Sequence, residues 1–160
     1  MTSDTIETQI KSLDEGVRQI RVAVEALSDD AFLGPLGNWT PRDIVAHLIG
    51  WNRYSVRGAQ QLLAGELPFY EADPGENYSH VNARLVAEYP SENRTELVAE
   101  HEKAADELAG FLRSISEEHW KGSTGVLLEG EEATIRLVVD WIIEDHQHHS
   151  EQIRELAKGS

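Results

Sequence analysis

Apolar residues recur at intervals of three and four along four stretches of the chain, and no stretch alternates convincingly as a strand does, so the sequence predicts an all-α fold. The first stretch runs from about Thr5 to Leu27, with Ile6, Ile10, Leu13, Val17, Ile20, Val24 and Leu27 on one stripe. Such a stripe is the buried face of a bundle helix. A polar turn over Ser28 to Gly37 leads to Asn38-Trp39-Thr40-Pro41, where Thr40 suits a helix cap and Pro41 its first turn. The second helix carries Ile44, His47, Leu48, Trp51, Tyr54 and Leu62 and ends near Gly65.

Residues Glu66 to Gly75 hold Pro68, Pro74 and several acids, which reads as a long connection, and a shorter helix follows from Glu76 to Glu88. Pro90 breaks it. Ser91 offers a cap for a third long helix, Glu92 to Ser116, bearing Leu97, Ala104, Ala105, Leu108, Phe111, Leu112 and Ile115. Gly122 to Gly130 is a loop with a short extended piece at Val126-Leu127-Leu128, and Thr134 opens a fourth helix that continues to about Lys158. Four long helices with one connection long enough to cross the bundle predict a four-helix bundle with a short extra helix, a single domain over residues 1–160. No internal repeat or low-complexity tract interrupts it.

The last helix departs from a plain apolar stripe. At about 3.6 residues per turn, Val138, Ile142, Asp145, His149, Ile153 and Leu156 share one face, so a carboxylate and an imidazole four residues apart interrupt it. Buried without partners they would cost several kcal/mol, on the order of any unpaired polar or charged group. A divalent metal is the strongest candidate to satisfy them. His47, on the stripe of Ile44 and Trp51, points inward as the third member, giving two imidazoles and one carboxylate. Two other pairs compete: His146 with His149, ranked second, and Glu144 with His148, ranked third because their face ends in polar residues. His80, His101 and His119 lie in polar surroundings and read as surface residues. Trp39 and Trp51 read as core anchors that could line a pocket mouth. Tyr54, one turn beyond Trp51, is a candidate acid or substrate hydrogen-bonder, against the plainer reading of an amphipathic residue at the core edge.

Composition narrows the chemistry. The 160 residues include no cysteine, which removes thiolate ligands, disulfides and a cysteine nucleophile. With 29 acids against 14 bases the net charge is −15, and with the bases scattered this argues against a nucleic-acid partner. No apolar run reaches the ~20 residues of a membrane span, and Met1-Thr2-Ser3-Asp4 lacks the features of a signal peptide. The expectation is a cytoplasmic protein with no membrane partner. Nucleophile-elbow, phosphate-loop and dinucleotide glycine patterns are missing from the sequence.

The segment from Asn38 to Trp51, Asn-Trp-Thr-Pro-Arg-Asp-Ile-Val-Ala-His-Leu-Ile-Gly-Trp, followed much later by His148-His149-Ser150-Glu151-Gln152-Ile153, resembles the DinB-like superfamily of four-helix bundles. That resemblance implies one metal ion on three side chains, here His47, Asp145 and His149. Asp145 stands where histidine is usual, and a carboxylate there is similar to the mycothiol-dependent maleylpyruvate isomerase branch. Zinc is the first expectation, with nickel, iron or manganese admitted by the oxygen ligand. Two branches are implied. One uses a low-molecular-weight thiol (mycothiol, bacillithiol or glutathione), activated for attack on a small electrophile as in an S-transferase or isomerase. The other, ClbS/DfsB-like, protects cells by hydrolysing or sequestering a reactive small molecule. A small-molecule substrate is expected in both, and a homodimer through the first helices fits such bundles. Arg42, Asp43 and Asn52 could orient ligands, though capping and ion pairing account for them equally well.

Overall fold

The structure is a computed structural model that describes residues 4–159; Met1, Thr2 and Ser3 of the amino-terminal segment, and Ser160, lie outside the described residues. Four long helices dominate: α1 (Ile6–Glu25), α3 (Pro41–Leu63), α5 (Arg94–Ser114) and α7 (Ile135–Lys158). Between them lie α2 (Asp29–Phe32), α4 (Ser79–Glu88), α6 (Glu117–Lys121) and a hairpin of β1 (Leu127–Leu128) and β2 (Glu131–Glu132). The all-α reading is met. The two single-turn helices were not foreseen, because one turn shows no periodicity, yet each buries an aromatic ring, Phe32 and Trp120.

The caps account for the boundaries. Thr40 and Asp43 form a reciprocal capping box at α3, with Pro41 in the first turn, and Thr134 caps α7 through Leu137 N–H. The cap of α5 is Asn93 rather than Ser91; the Asn93 side chain takes Glu96 N–H, while Ser91 Oγ receives Asn93 N–H. A 3-10 turn, Glu76–Tyr78, precedes α4, which therefore starts at Ser79 and not at Glu76.

Around the bundle the order is α1, α5, α3, α7. Helices α1 and α7 are parallel: Gln9 donates to Arg136 O and Asp140 Oδ1, while Gln19 meets Ser150 further along both. Helix α5 runs against α1, with Glu7 on Arg113 and Arg21 on Glu102. The pairing of α3 with α7 is also antiparallel, so α3 and α5 run the same way. Parallel neighbours need a connection that returns along the bundle, and residues 64–93 supply it. Leu62, Leu108, Leu112 and Val139 sit in one half of the core, and Ile20, Val24, Leu48 and Leu97 in the other. No helix among the described residues is long and apolar enough to cross a membrane.

A histidine pair lies at the centre of the bundle. His101, expected at the surface, is 2% exposed, and its Nε2 is 2.9 Å from Nε2 of His146, with the rings stacked. Its flanking Glu100 and Glu102 masked it, although 97, 101, 104 and 108 form an inward row. His146 Nδ1–H donates to Ile142 O at 2.8 Å, which leaves its Nε2 as acceptor for His101 Nε2–H. With both rings charged the bond is lost, since neither Nε2 then accepts. Burial lowers His146 to about 4, and burial reinforced by His146 holds His101 well below the ordinary 6.5.

On the flank, α4 packs on α3 where Gly50 admits Leu85: a Cβ on Gly50 would lie 2.4 Å from Leu85 Cδ2 and 3.0 Å from Leu85 Cβ. Helix propensity alone favours alanine there by about 1 kcal/mol. Overpacking wins, and Gly50→Ala is expected to lower stability by about 1–3 kcal/mol in urea denaturation. The buried histidines set the pH response. Unfolded, they bind protons near 6.5, whereas folded His146 does so only near 4. Stability present above pH 6.5 is therefore lost as pH falls toward 4, by about 1.4 kcal/mol per pH unit for His146, and His101 acts in the same direction. Denaturation curves at about pH 7, 6 and 5 check this, and a flat profile contradicts the neutral pair.

Candidate metal centre

The antiparallel contact of α3 with α7 brings His47, Asp145 and His149 together. His47 is 5% exposed and lies one turn before Trp51, on the face of α3 that meets α7. Asp145 and His149 are one turn apart on α7. His47 Nε2 is 2.8 Å from Asp145 Oδ2, and His149 Nε2 is 3.3 Å from Asp145 Oδ1. One ligand atom from each residue lies within 4.8 Å of the others, a group able to hold a metal ion.

A second layer of side chains fixes the orientation of these rings. Trp51 Nε1–H, which can only donate, points at Asn82 Oδ1 at 2.8 Å. That interaction settles which end of the Asn82 amide is oxygen. The same Oδ1 is 3.0 Å from His47 Nδ1, so His47 carries its proton on Nδ1 and donates it. In the neutral ring, Nε2 then turns a lone pair onto the Asp145 carboxylate across 2.8 Å. Two acceptors face each other, and only a proton or a cation between them makes the contact favourable. His149 repeats the pattern, with Nδ1 2.8 Å from Gln152 Oε1 and Nε2 toward Asp145. The half-buried Trp39 ring stacks on His149 and leans on His47, with centroids 6.3 and 5.0 Å away.

Electrostatics follow from this packing. Burial works against the Asp145 anion, but hydrogen bonds from His149 and His47 in their protonated forms overcome it and hold the carboxyl well below its usual range. Burial also disfavours a charged His149, yet the Asp145 carboxylate outweighs it and raises His149 above 6.5.

His47 and Asp145 open onto a cavity of about 480 Å³, walled by α3, α7, the β1–β2 turn and the segment before α4. Trp51, Tyr70, Tyr78 and Trp141 supply its aromatic surface. Of the competing pairs, His146 turns away from His149 to its partner His101. Glu144 and His148 are exposed and line the cavity rim. Tyr54 is not among the lining residues; its hydroxyl donates to Glu88 Oε1 at 2.8 Å and its ring packs on Phe69. His80 and His119 are exposed. Arg42 donates to Tyr89 O and Ser91 O and pairs with Asp43, which bind the chain after α4 to α3. Asn52 is fully buried, with Nδ2–H given to Leu48 O and Oδ1 unpartnered. The residue that sequence reasoning missed is Asn82, whose distance in sequence from the histidine motif left no signal.

The sequence model of the DinB superfamily matches residues 5–153. No curated protein matches the chain. Among solved structures, the colibactin self-resistance protein ClbS in complex with double-stranded DNA is similar over 99% of this chain and 98% of its own, at 14% identity and TM-score 0.78. The sibling lethal factor precursor DfsB is similar over 98% and 97%, at 18% identity and TM-score 0.81. The mycothiol-dependent maleylpyruvate isomerase is similar over 92% of this chain and 60% of its own, at 16% identity and TM-score 0.72. At these identities the likeness establishes the fold alone. One expectation is corrected: the −15 net charge does not exclude nucleic acid for this fold, because ClbS was crystallised on a DNA duplex. Net charge averages over all faces of a protein, whereas phosphate contact is local.

Proposed function

The chain belongs to the DinB superfamily, and from that premise we propose that it is a metal-dependent enzyme whose His47, Asp145 and His149 hold one divalent ion at the floor of the cavity. There it activates a low-molecular-weight thiol or a water for attack on a small electrophile. The observation that carries this reading is the His47–Asp145 contact. A ring whose tautomer is fixed by Asn82 and Trp51 directs a lone pair at a carboxylate, and a divalent cation satisfies both. Two neutral imidazoles and one carboxylate suit zinc, and the oxygen ligand also admits nickel, iron or manganese. Bound there, such an ion lowers the pKa of a coordinated water or thiol toward neutrality.

The chain's own residues do the rest. Asn82 and Gln152 hold the imidazoles by their Nδ1 atoms, so that the Nε2 atoms converge. Trp39 closes one side of the two rings. Trp51 and Trp141 give an apolar wall against which a small electrophile lies beside the nucleophile. Carboxylate ligation at Asp145 favours the thiol-using branch, and mycothiol is the first thiol to test.

A second reading dispenses with the metal. A proton on His149 answers the Asp145 carboxylate across 3.3 Å, and the raised proton affinity of His149 favours it. The protein would then shelter or hydrolyse a reactive small molecule, in keeping with its likeness to the self-resistance protein ClbS.

Elemental analysis of untagged protein separates the two. The metal reading expects near-stoichiometric divalent metal that disappears in His47→Ala, His149→Ala and Asp145→Asn and persists in His148→Ala. Asn82→Ala, which frees the His47 ring, is expected to weaken zinc affinity by about 10–100-fold in chelator competition. Protein that stays empty after incubation with zinc, nickel, manganese and ferrous ions sinks the metal reading and leaves the metal-free one.

A further inference from the structure

The chain has four tyrosines, and the hydroxyls of three are engaged. Tyr54 donates to Glu88 Oε1 at 2.8 Å, Tyr78 donates to Glu71 Oε1 at 2.7 Å, and Tyr89 accepts from Arg53 at 3.2 Å. The hydroxyl of Tyr70 has no partner among the described residues, although the residue is 4% exposed and lines the cavity that His47 and Asp145 share. Buried hydroxyls are normally paired, because leaving water without a replacement bond costs free energy. The Tyr70 oxygen is not sealed in. Asn52 Oδ1 is the one fully enclosed side-chain polar atom without a partner among the described residues, so the small exposed remainder of Tyr70 includes its oxygen, and the cavity is what it lines.

Packing fixes that hydroxyl in place. Tyr70 sits in the 3-10 turn Phe69–Glu71, which is pinned to α3 by Phe69 N–H donating to Gln61 Oε1 at 2.7 Å. Its ring meets Trp51 edge-on, centroids 5.0 Å apart, and lies against Gly58, where a Cβ would come within 2.7 Å of the ring and 3.2 Å of the hydroxyl oxygen. Val81 and Leu85 of α4 belong to the same buried cluster. The phenol oxygen lies on the axis of the ring flip, so it keeps its position even when the ring turns. Trp51 ties this corner to the histidines: its Nε1–H goes to Asn82 Oδ1, the acceptor that also takes His47 Nδ1–H. Burial, with Glu71 adding to it, holds the Tyr70 phenol above its ordinary range, so it keeps its proton. The cavity is thereby offered a rigid O–H donor.

We propose that Tyr70 is a catalytic residue of this cavity, whose hydroxyl donates a hydrogen bond to the carbonyl oxygen of the substrate, so that the small electrophile is a carbonyl compound on an aromatic or apolar body. The body lies against Trp51 and Trp141, and the carbonyl oxygen takes the place left open at Tyr70. When a thiol or water adds to such a carbonyl, or to a double bond conjugated with it, a bond forms to carbon and the π electron pair moves onto the oxygen. Negative charge then grows beside the phenol. The Tyr70 O–H bond stays intact, and its hydrogen bond strengthens as the charge develops. The nucleophile gives one proton to solvent and the adduct takes one back, so the addition is redox-neutral and needs no further reactant. A hydroxyl kept unpaired at a cost is satisfied only when such an oxygen arrives. As a statement of substrate class this rests on the cavity being the place of reaction, but the hydrogen bond does not depend on a metal.

Tyr70→Phe removes the oxygen and keeps the ring. Because the hydroxyl has no protein partner, the variant is expected to melt within about 2 °C of the parent, or above it, by circular dichroism. Acetophenone, which carries a carbonyl, and fluorobenzene, which has a similar body without one, are titrated into the chelated full chain while the indole N–H signals of Trp51 and Trp141 are followed by NMR. Acetophenone is expected to lose about three- to tenfold in affinity in Tyr70→Phe, with fluorobenzene changing by less than about twofold. Infrared difference spectra of acetophenone labelled at the carbonyl are expected to show a lower C=O stretching frequency in the parent than in Tyr70→Phe, because hydrogen-bond donation weakens that bond. In Tyr54→Phe, whose hydroxyl is engaged with Glu88 outside the cavity, the band is expected to match the parent. The same band in parent and Tyr70→Phe, equal losses of both probes, or no saturable acetophenone shift up to about 10 mM overturns the proposal. Zinc-loaded samples run alongside separate it from the metal reading: a Tyr70-dependent band in protein that takes up no metal sinks the metal reading alone, and metal retained with no Tyr70 dependence does the reverse.

Discussion

Two hydrogen-bond acceptors separated by 2.8 Å in a half-buried site form the contact on which this molecule turns. A neutral His47 with its proton on Nδ1 and an ionised Asp145 repel unless a proton or a cation lies between them. The restraint begins outside the pair. Trp51 orients Asn82, Asn82 orients His47, and Asp145 and His149 share one turn of α7 whose outer ring nitrogen is held by Gln152. Six side chains from three helices thus bring two imidazoles and one carboxylate to the same small volume. Such an arrangement is costly when empty of charge and favourable when a cation or proton occupies it, which is the physical signature of a binding centre.

The bundle's topology supplies that network. Because α3 and α5 run in the same direction, the chain between them must return along the bundle. That return carries α4, with Asn82, and the turn with Asn77 and Tyr78, across the open side of the α3–α7 pair. The β1–β2 hairpin closes the opposite edge with Glu129. Neither segment contributes much to the main core, whose two halves are filled by the long helices. They form the walls of the cavity.

The two inward histidine systems solve one problem in different ways. His101 and His146 sit in the centre of the core, where charge cannot be solvated, and exchange a single hydrogen bond as neutral rings. About one turn further along α7, His149 is drawn toward the charged form by Asp145. Two histidines on neighbouring turns of one helix therefore have their proton affinities shifted in opposite directions, because α7 presents one face to the bundle centre and another to α3.

Much of this could be read from the sequence. Repeats of three and four marked the long helices because a bundle buries one stripe of each, and Thr40-Pro41 and Thr134 marked starts because capping is local chemistry. Asp145 and His149 stood out because titratable groups interrupted an apolar stripe. Spacing within one helix is fixed by its pitch, so the pairing of 145 with 149 needed no tertiary information. The burial of His101, the role of Asn82, the engagement of Tyr54 with Glu88 and the unpartnered hydroxyl of Tyr70 were not legible. Each depends on which helix faces which, and on how residues 64–93 return across the bundle. Sequence by itself determined the helices, their faces and the i, i+4 pair. Tertiary structure decided which histidine meets a carboxylate and which meets another histidine, because burial and partners belong to the packed assembly and not to any one segment of chain.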